Sequence, residues 1–156
     1  MKRYSTTRFP EKFTTHKIET HPEIKTAIKA IVKTMGVEER VTTSWRDNTH
    51  YLYGVDLFNA AYYWETHEVF EGLWRLEPKG SPLYNGLKGL IQLAVSTLKH
   101  DRKEPKGRDM LLKGGQGYLR SSNIAEFGVN IEGLLEEILH YQTTEGAPRP
   151  FIKLLI

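Results

Sequence analysis

The sequence lacks cysteine throughout its 156 residues. This absence excludes disulfide bonds, thiolate metal sites and a cysteine nucleophile, although it does not by itself identify a cellular compartment. The sequence also lacks any apolar run close to the roughly 20 residues that are needed to cross a bilayer. The N-terminal stretch MKRYSTTRFPEKF is basic, but the apolar segment of a secretory signal does not follow it. We therefore predict a cytoplasmic protein that has no membrane partner.

Signs of β-structure and of nucleotide binding are missing as well. No alternation of valine and isoleucine indicates a sheet, no repeat recurs, and no glycine-rich phosphate loop is present. The length fits a single domain over 1–156. We predict an all-α fold, a multihelical bundle of about five to six helices with extended N- and C-terminal arms. Its parts are an extended arm over 1–20, a core over 45–120, and a C-terminal helix with an extended strap over 121–156.

Apolar residues recur with helical spacing in six segments of the chain. Pro22 suits the first turn of the first helix, Ser81 with Pro82 starts the fourth, and Asn130 caps the last. The second and third helices form a hairpin, and we place its break near Asn59 because asparagine tolerates the left-handed conformation. The predicted helices cover 22–35, 51–59, 61–77, 83–100, 108–119 and 131–139. Between them we predict a charged turn over 100–108 and a connection over 121–129.

One predicted helix, 61–77, combines an apolar side with an unusually polar one. Residues three or four apart in a helix share a face, so a histidine, two glutamates and an arginine form one stripe with tryptophans beside it. A glutamine on the next helix is the neutral polar residue best suited to reach this stripe. The predicted polar site comprises His67, Glu68, Glu71, Arg75 and Gln92, with Tyr63, Trp64 and Trp74 as walls.

Charge is unevenly distributed along the chain, although the net charge is only +3. Residues 51–77 contain one basic and five acidic residues, a local charge of −4. An acidic site in a mildly basic protein suits a cation or a small polar molecule better than a phosphate. The basic residues are scattered and no aromatic residues interleave them, so we do not expect nucleic acid as a partner. A homo-oligomer remains open.

Three interpretations of the polar stripe remain. It lines a pocket for a small polar ligand, with a glutamate as the candidate base, or it is an internal salt-bridge network in a structural or interaction module. In the third, His67 and Glu71 are weak candidates for the ligands of a divalent metal in a hydrolase-like enzyme. The metal signal is weak because the order is His-Glu-x-x-Glu and the chain has no second such element. No cofactor is assigned, and whether the protein is an enzyme stays open.

The motifs in this region resemble those of a known family. The pattern of an asparagine turn, an aromatic pair and His-Glu-x-x-Glu-x-x-Trp-Arg is similar to that of the small multihelical proteins of the domain of unknown function number three-zero-nine. The resemblance covers roughly 45–120, implies a multihelical bundle and implies no activity. Lys88 departs from the family's glutamine, and Leu98 or Lys99 stands where the family has a histidine. The matching residues are Asn59, Tyr62, Tyr63, His67, Glu68, Glu71, Trp74, Arg75, Gly89, Leu90, Ile91, Gln92, Leu93 and Ala94.

Overall fold

The computed structural model describes residues 2–9, 22–41 and 44–155. These ranges contain seven α-helices and a short 3₁₀ turn at Trp45–Asp47. The extended segments within them form no β-sheet, only one isolated β-bridge. Six of the helices have eleven or more residues, which confirms the predicted all-α bundle. The helices are α1 Pro22–Thr34, α2 Thr49–Asn59, α3 Tyr63–Trp74, α4 Pro82–Asp101, α5 Pro105–Arg120, α6 Ile124–Phe127 and α7 Ile131–Thr143.

Side-chain caps explain where three of these helices begin. The side chains of Asn48, Ser81 and Asn130 accept hydrogen bonds from the backbone N–H groups of Tyr51, Tyr84 and Gly133, at 2.9, 3.2 and 3.1 Å. Each cap satisfies a backbone donor that the first helical turn leaves without a partner. Pro82 follows the Ser81 cap, where its missing N–H costs nothing.

The long helix α4 is the centre of the bundle. It packs against α3 on one side and α5 on another, while α2 packs against α3. Its apolar stripe is buried almost completely. The stripe comprises Leu83, Leu87, Leu90, Leu93, Ala94 and Leu98.

Helix α1 belongs to a second, smaller apolar cluster. Ile24 and Ile28 are buried there against Tyr53, Leu57 and Val69, side chains of α2 and α3. The first turns of α1 are thereby fixed beside the polar stripe of α3. This contact buries the apolar face of the short amphipathic helix.

The hairpin between α2 and α3 differs from the prediction in one respect. Asn59 is the last helical residue of α2, and the left-handed conformation belongs to Ala61, with φ of 67°. The amide of Asn59 instead accepts a hydrogen bond from Ile152 N–H at 2.7 Å and donates one to its carbonyl at 3.0 Å. A partner so distant in sequence leaves no local pattern, so the prediction placed the break correctly after Asn59 but assigned the left-handed conformation to the wrong residue.

Two connecting segments are shorter than predicted. The charged turn is limited to residues 102–104, since α4 continues to Asp101 and α5 begins at Pro105. The connection over 121–129 contains the four-residue helix α6. The C-terminal strap over 147–155 is extended, as predicted, and an isolated antiparallel bridge joins Leu154 to Val129.

The predicted N-terminal arm is described in part. Residues 2–9 contain no helix, and residues 10–21 lie outside the described ranges. Among the helices that the structure describes, none combines the length and the apolar character that crossing a bilayer requires.

Candidate functional site

The polar stripe of α3, which extends to the capping residue Arg75, is joined by side-chain bonds over about two helical turns. Nε2 of His67 lies 2.9 Å from Oε2 of Glu71, and the guanidinium of Arg75 donates to Oε1 of the same carboxylate. A carboxylate can only accept, so the imidazole proton at this contact lies on Nε2. The side chains are 19%, 27% and 67% exposed in this order, so the stripe runs from a sheltered to an open end.

The second glutamate of the stripe faces a different partner. Oε1 of Glu68 lies 3.9 Å from Nζ of Lys25 on α1 and 3.7 Å from Nδ1 of His67. That Nδ1 atom is buried and has no hydrogen-bond partner within the described ranges. Glu68 therefore connects the stripe to α1.

The aromatic residues predicted as walls occupy three separate places. The ring of Trp64 lies against His67, with centroids 4.7 Å apart, whereas Trp74 lies against Tyr84 at 4.9 Å and beneath Nζ of Lys88. Tyr63 is buried, and its hydroxyl accepts a hydrogen bond from Arg149 at 3.2 Å. Trp64 alone stands beside the histidine of the stripe.

Gln92 is not joined to the stripe by any bond that the structure describes. It lies on α4 with its Oε1 atom against Gly114 of α5. This oxygen is buried, and no described donor reaches it. The structure thus brings His67, Glu68, Glu71 and Arg75 together and leaves Gln92 at the contact between α4 and α5.

A groove of about 530 Å³ lies between α1 and α3. Ile28, Val32 and Val69 form its apolar part, and Gly72 lies beneath the carboxylate of Glu38, where an added Cβ atom would come within 2.8 Å of Oε1. Charged side chains of both signs complete the lining. They are Lys29, Lys33, Glu38, Glu68, Glu71 and Arg75.

Three of these charges have no counterpart among the residues that the structure describes. Glu71 is paired with Arg75, and Glu68 with Lys25. Lys29, Lys33 and Glu38 form no ion pair with any other residue in the described ranges. The groove therefore presents two ammonium groups and one carboxylate that are free to meet a ligand.

Sequence reasoning missed the α1 side of this groove. The alternation of Lys29 and Lys33 with Ile28 and Val32 indicates an amphipathic helix, but it does not say which helix the apolar side covers. Glu38 follows α1 in a segment that showed no period. Only the packing of α1 on α3 reveals that these residues face the predicted stripe.

The metal prediction rests on two side chains. In the part of the chain that the structure describes, no group of three or more histidine, aspartate or glutamate side chains is arranged to hold a metal ion. His67 and Glu71 are bonded directly to each other. The metal interpretation stays a prediction from the sequence.

A second polar cluster, not predicted, lies where α4, α7 and the strap meet. Arg149 donates to Oδ2 of Asp101 at 2.8 Å, and the hydroxyl of Tyr141 donates to Oδ1 at 2.6 Å. Burial raises the pKa of Tyr63 to about 12, although the guanidinium of Arg149 opposes the shift. The cluster joins residues far apart in sequence, so no local signal could have revealed it.

Comparison with protein families gives a match in the central part of the chain. Residues 51–111 match the family described as domain of unknown function, DUF309. The resemblance drawn from the motifs is confirmed over these residues. The matched segment runs from α2 into α5 and contains His67, Glu71, Arg75 and Gln92, whereas α1 and Glu38 lie outside it. Searches among curated proteins and among solved structures found no match.

Proposed function

We propose that the groove between α1 and α3 binds a small zwitterionic molecule. The observation that carries this proposal is the presence of free charges of both signs around one apolar floor. Glu38 can pair with an ammonium group, and Lys29 or Lys33 can pair with a carboxylate. A ligand with only one of these groups satisfies half of the site.

The size and lining of the groove support a small molecule. Its volume of about 530 Å³ falls within the roughly 300–1,000 Å³ that is typical of ligand pockets. The apolar floor of Ile28, Val32 and Val69 suits an aliphatic group, whose removal from water favours binding. An aliphatic amino acid has all three features.

The predicted stripe contributes the α3 wall. Arg75 and Glu71 form an exposed pair, and such pairs are worth little in water, so a ligand can compete for either group at low cost. We propose binding without an assigned reaction or cofactor.

Leucine and its two halves provide a direct test. Isoamylamine keeps the ammonium and the branched chain, whereas isocaproate keeps the carboxylate and the branched chain. In NMR titrations we expect leucine to bind more tightly than either half and to shift backbone amides of α1 and α3. Each missing charged contact should weaken binding about tenfold.

Matched variants separate the two charges. Glu38→Gln should weaken binding of leucine and isoamylamine but spare isocaproate. Lys33→Met should weaken binding of leucine and isocaproate but spare isoamylamine. Glu136→Gln and Lys113→Met remove the same charges at exposed positions outside the groove and should have no effect. If none of the three compounds shifts resonances of α1 or α3, the binding proposal fails and the structural or interaction interpretation takes its place.

A further inference from the structure

A separate cavity of about 500 Å³ lies at the C-terminal end of α7. His100 and the last three residues of α7, 141–143, line it together with the turn over 144–147. These residues lie apart from the groove between α1 and α3. The cavity therefore raises a question that the proposed function does not answer.

The side chain of Gln142 has one atom that needs a donor. The hydroxyl of Ser96 donates to the backbone carbonyl of Arg108 at 2.8 Å, because a carbonyl can only accept. The same hydroxyl accepts from Nε2 of Gln142 at 3.0 Å, which fixes the orientation of the amide. Gln142 is 8% exposed, and its Oε1 atom has no partner in the described ranges. Such a buried acceptor is costly unless a donor reaches it.

The backbone around the cavity is also rich in acceptors. The N–H of Thr144 donates to the carbonyl of His140 at 3.0 Å and closes α7. No N–H group beyond this helix, within the described ranges, reaches the carbonyls of Tyr141, Gln142 or Thr143. A helix C-terminus carries partial negative charge and favours cations.

The lining of the cavity also carries negative formal charge, the same sign as the partial charge of the helix C-terminus. Nδ1 of His100 lies 3.3 Å from a guanidinium nitrogen of Arg108, and arginine can only donate, so Nδ1 is the acceptor at this contact. Glu145 is the one acidic residue among those that line the cavity, and neither lysine nor arginine is among them. Nearby Arg149 is neutralised by Asp101, at 2.8 Å.

We propose that this cavity binds a small organic ammonium ion. Its N–H groups would donate to Oε1 of Gln142 and to the free carbonyls of α7, and its charge would face Glu145. The rings of His100 and Tyr141, 5.0 Å apart, add aromatic surface that attracts cations. The site is independent of the groove between α1 and α3.

Three probes separate charge from hydrogen bonding. Propylammonium carries both, propanamide carries N–H groups without charge, and tetramethylammonium carries charge without N–H groups. In NMR titrations propylammonium should bind most tightly and should shift the amides of residues 141–147. Equal binding of all three probes, or shifts spread over every exposed carboxylate, would overturn the proposal.

Two variants test the residues named. Gln142→Met removes the acceptor and should weaken propylammonium binding about tenfold, whereas Gln116→Met on α5 should not. Glu145 lies on an exposed turn, so the fold should persist in Glu145→Gln. This variant should weaken propylammonium binding about threefold. Glu136→Gln removes the same charge on α7 away from the cavity and is its control. If Glu145→Gln and Glu136→Gln bind propylammonium equally, the assignment is wrong.

Discussion

His50 is enclosed at the start of α2, with 2% of its surface exposed. Burial lowers its pKa below the ordinary value of 6.5, and the carboxylates of Glu38 and Glu39 oppose this shift only in part. Its Nε2 atom has no partner in the described ranges. The folded protein therefore holds this imidazole in its neutral form more firmly than the unfolded chain does.

The depressed pKa predicts how stability changes with pH. Below the unfolded pKa of 6.5 the unfolded chain takes up a proton that the folded state refuses, so His50 favours unfolding progressively as pH falls. This contribution is absent above that pH and cannot exceed about 1.4 kcal/mol per pH unit. Urea unfolding between about pH 7.5 and about pH 5.5 should show a smaller loss of stability for His50→Asn than for the unchanged protein. His140→Asn, at an exposed position, is the control, and a loss of the same size in the His50 variant would contradict the assignment.

The exposure of the α3 stripe also predicts how much its residues contribute to the free energy of unfolding. Arg75 has 67% of its side chain exposed, so Arg75→Met should cost less than about 1 kcal/mol of unfolding free energy. Glu71→Gln should cost about 0.5–1.5 kcal/mol, because it weakens the bond to His67. Urea unfolding of the two single variants and the double variant measures both terms and their coupling. A loss of several kcal/mol in Arg75→Met would indicate a sealed network and argue against an open groove.

Helical spacing explains which of these residues could be brought together from the sequence alone. His67, Glu71 and Arg75 lie on successive turns of one helix, and their contacts depend on little else. The position of Gln92 depends on how α4 packs on α5, where Gly114 leaves space for its amide. The approach of Lys29 and Glu38 to the polar stripe depends in the same way on the packing of α1 against α3. Contacts within an element are predictable from a pattern, whereas contacts between elements are not.

At the scale of elements, glycines control how closely α4 and α5 approach. A Cβ atom on Gly89 would come within 2.9 Å of the backbone nitrogen of Leu119 and 3.1 Å of the carbonyl oxygen of Gly115. Backbone atoms cannot move aside as a flexible side chain can. Gly117 lies on α5, and a Cβ atom added there would have nothing within 4 Å.

Two alanine substitutions should therefore have opposite effects. Gly89→Ala should destabilise the protein by about 1–3 kcal/mol, because the helices must separate. Gly117→Ala should stabilise it by up to about 1 kcal/mol, since alanine is the better helix former and finds open space. Thermal and urea unfolding measure both changes, with each variant serving as the other's control. If both variants change stability equally and in the same direction, the close approach of α4 and α5 at Gly89 does not limit the size of the side chain there.

The elements themselves were largely predictable. Apolar periodicity and the caps at Ser81 and Asn130 located the long helices, and the glycines of α5 did not prevent it from forming. Helix α6 was missed because four residues are too few to show a period. The break between α2 and α3 lies after Asn59, as predicted, but the left-handed residue is Ala61, which carries no signal for that conformation.

At the scale of the whole molecule, α2 joins the two ends of the chain. Asp56 is fully buried, and its carboxylate accepts hydrogen bonds from the backbone N–H groups of Tyr4 and Ser5, each at 2.8 Å. Asn59, on the next turn, pairs with both backbone groups of Ile152. The hydroxyl of Tyr4 also accepts from the N–H of Leu154 at 3.1 Å, so the arm and the strap contact each other.

This arrangement predicts that the arm and the strap stabilise each other. Asn59→Ala leaves two buried backbone groups of Ile152 without partners and should cost about 2–4 kcal/mol, at roughly 1–2 kcal/mol for each. Tyr4→Phe removes the acceptor for Leu154 and should cost about 1 kcal/mol. Because both changes loosen the strap, the double variant should lose less than the sum, with a coupling of at least about 0.5 kcal/mol. Urea unfolding of the three variants measures the coupling, and hydrogen exchange of the Ile152 and Leu154 amides shows whether the strap is released. Strictly additive losses, with unchanged exchange at Leu154 in Asn59→Ala, would mean that α2 holds the arm and the strap independently.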